Sequence, residues 1–85
     1  MSQISTLGVP REIKPSEGRV SVTPDGVREI ERTGVRVLVE TGAGVAASIT
    51  DEEFVAAGAE IVTCAADAWA ADLVVKVKEP QASEF

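Results

Sequence analysis

The sequence predicts an α/β protein with a mostly parallel sheet, and two observations support this. Short apolar runs alternate with segments that carry helix signals, in the order β-α-β-α-β-α-β. This order requires crossover connections, which favour parallel strands and right-handed crossovers. In addition, four of the five residues from Leu73 to Val77 are apolar, which is typical of a strand buried on both faces. Together these features predict three layers, with the sheet in the middle.

The first half of the chain contains two predicted strands and one helix. The first strand spans Ile4 to Val9 and ends before a proline. A helix begins at Thr23-Pro24, because threonine caps helices and proline suits the first helical position. Gly34 ends this helix, and the second strand follows at Val35 to Val39.

The second half repeats the alternation. Residues 50–53 read Thr-Asp-Glu-Glu, a capping box that starts a second helix, and this helix ends at Gly58. The third strand is predicted at Ala59 to Thr63, a short helix at Ala65 to Ala70, and the fourth strand at Leu73 to Val77. The expected topology is therefore of the flavodoxin or Rossmann type.

Length and composition limit the classes of function. The chain has 85 residues, enough for one small domain, and a net charge of −6, which disfavours nucleic acid and anionic membrane surfaces as partners. No run reaches the length of a membrane span and no signal peptide is present, so we expect a soluble cytoplasmic protein. The apolar residues are mostly Ala and Val, a weak core for an isolated α/β domain, which suggests a piece of a larger protein.

The chain offers little for metal or cysteine chemistry. With no histidine, a metal site would have to use carboxylates and Cys64, and we expect none. Cys64 has no base beside it in the sequence, so we expect a small buried or half-buried residue. Trp69 is expected to anchor the core beneath the edge of the sheet.

Residues 42–47, Gly-Ala-Gly-Val-Ala-Ala, match the G-x-G-x-x-A pattern of dinucleotide sites. In such sites the helix begins at the glycines, so that its N-terminus faces the pyrophosphate. Here the capping box places the helix start at Thr50. A ribose-binding acid is expected at the end of the next strand, but Glu60 lies at the start of that strand. We therefore interpret the glycines as allowing a tight strand-to-helix connection.

Cationic residues in two segments of the chain are candidates for binding an anionic substrate. Arg19 ends a polar loop that follows the first strand, and its guanidinium could hold a carboxylate through two parallel hydrogen bonds. The alternative is a surface arginine paired with Glu12 or Glu17. Lys76 and Lys78 share one face at the far end of the fourth strand.

The far end of a parallel strand is where open α/β sheets place their ligands, so Lys78 could receive an anion there. The alternative is that both lysines surface as the strand leaves the sheet. Either lysine could also be neutralised by Asp72 or Glu79.

With these positions in place, the chain resembles the N-terminal part of alanine dehydrogenases and of the related nicotinamide nucleotide transhydrogenase alpha subunits. The resemblance covers about residues 7–85 and is closest to alanine dehydrogenases. The matching stretches are Gly8-Val9-Pro10-Arg11-Glu12-Ile13-Lys14, Glu17-Gly18-Arg19-Val20-Ser21-Val22-Thr23-Pro24, Glu40-Thr41-Gly42-Ala43-Gly44, Ala56-Ala57-Gly58-Ala59 and Lys76-Val77-Lys78-Glu79-Pro80.

This resemblance implies roles for two residues. In alanine dehydrogenases the arginine that matches Arg19 holds the carboxylate of pyruvate or L-alanine. The lysine that matches Lys78 contacts that carboxylate and the reacting keto oxygen. Transhydrogenases commonly replace this second lysine, so its presence here favours an amino-acid dehydrogenase.

The resemblance also implies what lies elsewhere. The family's catalytic histidine and its NAD-binding domain follow this region, so residues 1–85 would be the N-terminal segment of the substrate domain, inactive alone, in an enzyme that assembles as a homo-oligomer. Three alternatives remain open: a transhydrogenase fragment, a non-catalytic module derived from the family, and a dehydrogenase for another 2-amino acid.

Overall fold

A computed structural model describes residues 5–13 and 19–77 of the protein. Ile4, predicted to begin the first strand, lies outside these ranges. The fold is an α/β arrangement around a parallel sheet, as predicted. The elements in chain order are β1 (Thr6–Val9), α1 (Pro24–Glu31), β2 (Arg36–Glu40), a 3₁₀ turn (Val45–Ala47), α2 (Asp51–Ala56), β3 (Glu60–Val62), α3 (Ala65–Trp69) and β4 (Leu73–Val74).

The four described strands are all parallel and lie in the order β3-β2-β1-β4. The connections through α1 and α2 move across the sheet in one direction, whereas the connection through α3 returns past β1 to reach β4. Right-handed crossovers therefore place α1 and α2 on one face and α3 on the other. This reversal between β1 and β4 is the position where open α/β sheets form ligand-binding crevices.

The predicted helix starts are confirmed in detail. The Thr23 side chain accepts a hydrogen bond from the Gly26 backbone N–H at 3.3 Å, with proline in the first helical position. At α2, Thr50 and Glu53 exchange the two hydrogen bonds of a capping box, each 3.1 Å long. These contacts satisfy N–H groups that the first helical turn leaves without partners, and each cap contributes about 1 kcal/mol.

The main core lies between the sheet and the helix pair α1 and α2. The inward-facing residues of the two central strands meet one valine from α1 and one phenylalanine from α2. The fully buried members of this core are Val9, Val27, Val37, Val39 and Phe54. On the opposite face Gly8 meets α3 at Ala68, where a side chain on residue 8 would collide with the helix backbone.

Three expectations about the second half are wrong or only partly right. β4 is an edge strand of the described sheet, because it pairs with β1 on one side only, and Leu73 is 43% exposed. Cys64 is exposed and precedes α3, with its Sγ 3.4 Å from a carboxylate oxygen of Asp67. Trp69 is half-buried, and the fully buried residue of α3 is Ala68.

A carboxylate fixes the opposite end of the β1–β4 pair. Asp72 Oδ2 accepts hydrogen bonds from the backbone N–H groups of Ser5 at 2.8 Å and Thr6 at 3.1 Å, and the Thr6 hydroxyl accepts one from the Asp72 N–H. The N–H donors of Ser5 and Thr6 favour the ionised form and hold the pKa of Asp72 below its ordinary value of 3.8.

We predict that Gly8→Ala lowers the free energy of unfolding by about 1–3 kcal/mol, because the new Cβ would force α3 away from the sheet. Gly26→Ala is the matched control: its Cβ would lie 3.2 Å from a side-chain methyl of Val22 and meet no backbone atom so closely, and alanine favours helix, so a change within about 1 kcal/mol is expected. Urea unfolding measures both variants. Equal stability of the two would contradict the close approach of α3 to β1.

We also predict that Asp72 makes stability depend on acid pH. Because its pKa is lowered in the folded state, its stabilising effect is fully present above the ordinary value of 3.8 and disappears as pH falls through the lowered pKa. Thermal melting from pH 7 to pH 2 should show a smaller loss of stability for Asp72→Asn than for the unmodified protein. Parallel curves for the two proteins would exclude this contribution.

Candidate substrate-binding site

A cleft of about 450 Å³ opens at the edge of the sheet where the strands have their carboxyl ends. One wall is formed by the segment that follows β1 and the other by the segment that follows β2. Arg19, from the loop after β1, also faces this cleft and is exposed. The lining residues are Arg11, Glu12, Ile13, Arg19, Gly42, Ala43, Val45 and Ala46.

Two arginines line the cleft, together with apolar residues of the segment that follows β2. Arg11 and Arg19 both line it, and the backbone N–H of Arg11 donates to Glu40 Oε1 at 2.8 Å, which fixes the start of the loop to the end of β2. An exposed guanidinium in such a cleft suits a small carboxylate, because its planar donors match the two oxygens. The geometry is thus compatible with the role predicted for Arg19.

A buried ion pair lies next to this cleft. Lys76 Nζ is 3.4 Å from Glu12 Oε1, and the two side chains are only 6% and 3% exposed. Oε2 of the same carboxylate accepts a hydrogen bond from the Val77 N–H at 2.9 Å. The alternative that Lys76 surfaces is therefore wrong, since its side chain is buried beside the Glu12 carboxylate.

The partner of Lys76 was not anticipated from the sequence. Asp72, one of the two candidates, instead binds the backbone of Ser5 and Thr6. Glu79, the other, lies outside the described residues, as does Lys78. A signal for Glu12 was present, because a lysine in an apolar strand requires a buried acid, and Glu12 follows the neighbouring parallel strand at the same edge.

A second contact joins the Arg19 loop to the chain beyond β4. The Ser21 hydroxyl donates to the Val75 carbonyl oxygen at 2.8 Å, and the Val75 N–H donates to the Gly8 carbonyl oxygen at 3.0 Å, continuing the β1–β4 ladder. Residues 75–77 are therefore bonded to the loop on both sides of Arg19, through Glu12 before it and Ser21 after it. Lys78 follows Val77 directly in the sequence.

The glycine-rich segment after β2 is organised as a tight connection. The Gly42 N–H donates to Asp51 Oδ1 at 3.0 Å, and the N–H groups of Val45 and Ala47 donate to carbonyl oxygens within the segment. A Cβ on Gly44 would lie 2.8 Å from the ring of Phe54, so close packing demands glycine there. These N–H groups are occupied and do not form the open cradle that a pyrophosphate needs.

Residues 5–13 and 19–77 contain no helix that combines the length and apolar character that crossing a membrane requires. The same residues contain no group of three or more His, Cys, Asp or Glu side chains arranged to hold a metal ion.

Comparison with known proteins places the chain in a family. Residues 8–85 match the model for the N-terminal domain of alanine dehydrogenase and PNT proteins. The chain belongs to this family. The alanine dehydrogenase of Bilophila wadsworthia is 53% identical over 79 residues, and that of Mycobacterium tuberculosis is 51% identical over 80 residues. Each alignment covers 93% of this chain but only 21% and 22% of the respective relative.

Solved structures show the same relationship. An L-alanine dehydrogenase superposes with a TM-score of 0.91 at 47% identity, and a transhydrogenase from Sinorhizobium meliloti with 0.87 at 39% identity. Both superpositions cover 93% of this chain and 22% of the larger one. The resemblance to alanine dehydrogenases and transhydrogenases is therefore confirmed, and the chain spans about a fifth of the length of these relatives.

We predict that the buried ion pair matters far more for stability than an exposed one. Lys76→Met removes the ammonium that lies 3.4 Å from the buried Glu12 carboxylate, which should lower the free energy of unfolding by about 3–5 kcal/mol. Arg36→Met removes an exposed pair with Glu60, 2.6 Å long, and should change it by less than about 1 kcal/mol. Urea unfolding compares them, and similar losses in both variants would contradict the burial of the Lys76 pair.

Proposed function

We propose that this chain is the N-terminal part of an NAD-dependent alanine dehydrogenase, which interconverts L-alanine, NAD and water with pyruvate, ammonia and NADH. Its contribution would be part of the substrate site, with Arg19 and Lys78 as the binding residues. The observation that carries this proposal is the double link from the Arg19 loop to residues 75–77 at the ligand-binding edge. Membership of the family supports the reaction class.

Arg19 and Lys78 would bind different groups of the substrate. Arg19 would hold the carboxylate with paired N–H donors, which fixes the orientation of the small molecule. Lys78 would act as a point charge at the carbonyl or imine and stabilise the negative charge that develops as hydride arrives. The exposed position of Arg19 in the cleft supports its part of this scheme.

The remaining chemistry is assigned to the rest of the enzyme. NAD supplies the hydride acceptor, and the occupied N–H groups of the glycine-rich segment do not fit a dinucleotide, which supports a binding site on another domain. The chain contains no histidine, so a histidine acting as acid or base would come from that remainder. The complete enzyme would be a cytoplasmic homo-oligomer, and these 85 residues alone would be inactive.

A transhydrogenase alpha subunit is the second candidate, because the Sinorhizobium meliloti transhydrogenase shares the fold at 39% identity. That activity passes hydride between NAD(H) and NADP(H) without an amino acid. Oxidation of NADH that requires both pyruvate and ammonium favours the dehydrogenase. Hydride transfer between the two nucleotides in the absence of pyruvate favours the transhydrogenase.

We predict distinct kinetic effects for the two substrate-binding residues in the complete enzyme. Lys78→Ala should lower kcat by about 10²–10³-fold, because charge stabilisation in the transition state is lost. Arg19→Ala should chiefly raise the KM for pyruvate, by about 10–100-fold, because a charged hydrogen-bonding partner of the carboxylate is removed.

The matched control is Arg32→Ala, which removes an exposed arginine paired with Glu29 on α1 and should leave both constants unchanged. Steady-state assays with pyruvate, ammonium and NADH give the measurements. If Lys78→Ala and Arg19→Ala both behaved like the control, the roles proposed for them would be refuted.

A further inference from the structure

We infer that Glu12 and Ser21 are positioning residues for the keto-acid site, and that they act by holding residues 75–77 against the loop that carries Arg19. This inference rests on the function proposed above. Neither residue is assigned contact with the substrate. Each bonds instead to the backbone of the segment that leads into Lys78.

The first contact uses both oxygens of a buried carboxylate. Glu12 Oε1 faces the Lys76 ammonium at 3.4 Å, while Oε2 accepts the Val77 N–H at 2.9 Å. The Glu12 side chain is 3% exposed, so water does not compete strongly for these oxygens. A charged acceptor in such surroundings restricts the position of the backbone that donates to it.

The second contact joins residues 75–77 to the part of the chain that follows Arg19. Ser21 lies two residues after Arg19, and its hydroxyl donates to the Val75 carbonyl oxygen at 2.8 Å in a half-buried position. The two contacts therefore bracket Arg19 in the sequence and converge on three consecutive residues. A shift of either contact would change the spacing between Arg19 and residues 75–77.

Stability alone does not explain a charged pair at this position. Burying two charges removes their hydration, and an apolar pair of similar volume is often equally or more stabilising. The carboxylate has a use that an apolar side chain lacks, because only an acceptor can hold the Val77 N–H. The positive charge of Lys76 then balances the negative charge of the Glu12 carboxylate. The effect of the charges can therefore be measured separately from the effect of the oxygen that accepts the Val77 N–H.

The first test compares two double variants of the complete enzyme. Glu12→Gln with Lys76→Met removes both charges but keeps an oxygen that can accept the Val77 N–H. Glu12→Leu with Lys76→Met removes the charges and the acceptor. We expect the KM for pyruvate to stay within about 3-fold in the first variant and to rise by about 10–100-fold in the second, since misplacing a binding group by about 1 Å can have effects of up to about 10²-fold.

The second test removes a single hydroxyl. Ser21→Ala breaks the bond to Val75 and should raise the KM for pyruvate by about 3–10-fold, at a small loss in stability. Thr33→Val is the matched control, because it removes a comparable hydroxyl-to-carbonyl bond, from Thr33 to Ile30 at 2.6 Å, at the end of α1. It should leave the KM for pyruvate unchanged.

The outcomes separate positioning from a purely structural role. A structural defect lowers the fraction of folded enzyme and so lowers the apparent kcat, but it leaves the KM for pyruvate unchanged. A normal KM in Ser21→Ala overturns the role of Ser21, and a normal KM in a folded Glu12→Leu/Lys76→Met enzyme overturns that of Glu12. If Glu12→Leu/Lys76→Met does not fold, the KM is measured instead in Glu12→Ala/Lys76→Met, which also lacks the acceptor. If neither double variant folds, the positioning role of Glu12 is overturned and its role is structural.

The underlying proposal is tested separately by Lys78→Ala and Arg19→Ala. If those variants retain full activity with pyruvate, the proposed function fails. If they lose activity while the KM is normal in Ser21→Ala and in Glu12→Leu/Lys76→Met, only the positioning roles fail.

Discussion

The carboxylate of Glu12 is the contact on which the ligand-binding edge of this fold depends. β1 and β4 pair over only two residues each, Leu7 with Leu73 and Gly8 with Val74, and one more backbone hydrogen bond extends the ladder. Beyond that point the chain is held by side chains. Glu12 binds both the Lys76 ammonium and the Val77 backbone of this segment, and Ser21 binds its Val75 carbonyl oxygen.

Glycine residues allow helices and loops to pack closely around the sheet. Gly8 lets α3 approach β1 until a side chain would collide with its backbone, and Gly44 lets the segment after β2 pack on the ring of Phe54. Close packing compensates for a core made mainly of valine and alanine, because dispersion contacts grow with density. The segments that follow β1 and β2 form the walls of the cleft.

Much of the fold follows from local signals. Thr23, Pro24 and the capping box at Thr50 begin their helices as expected, and the order of strands and helices agrees with the alternation of apolar runs. Strand ends were less accurate, since β4 is two residues long where five were expected. The apolar character of residues 73–77 indicates burial somewhere in the protein, but it does not reveal how many neighbours a strand has.

The sequence by itself determined the helix starts, the parallel α/β class and the family, because caps, periodicity and motifs act over short stretches of chain. Only the tertiary structure decided which acid neutralises Lys76 and what holds the segment after β4. Glu12 and Val77 are 65 residues apart, and they meet because β1 and β4 are neighbours in a parallel sheet. A contact of this kind depends on strand order, which local sequence patterns do not encode.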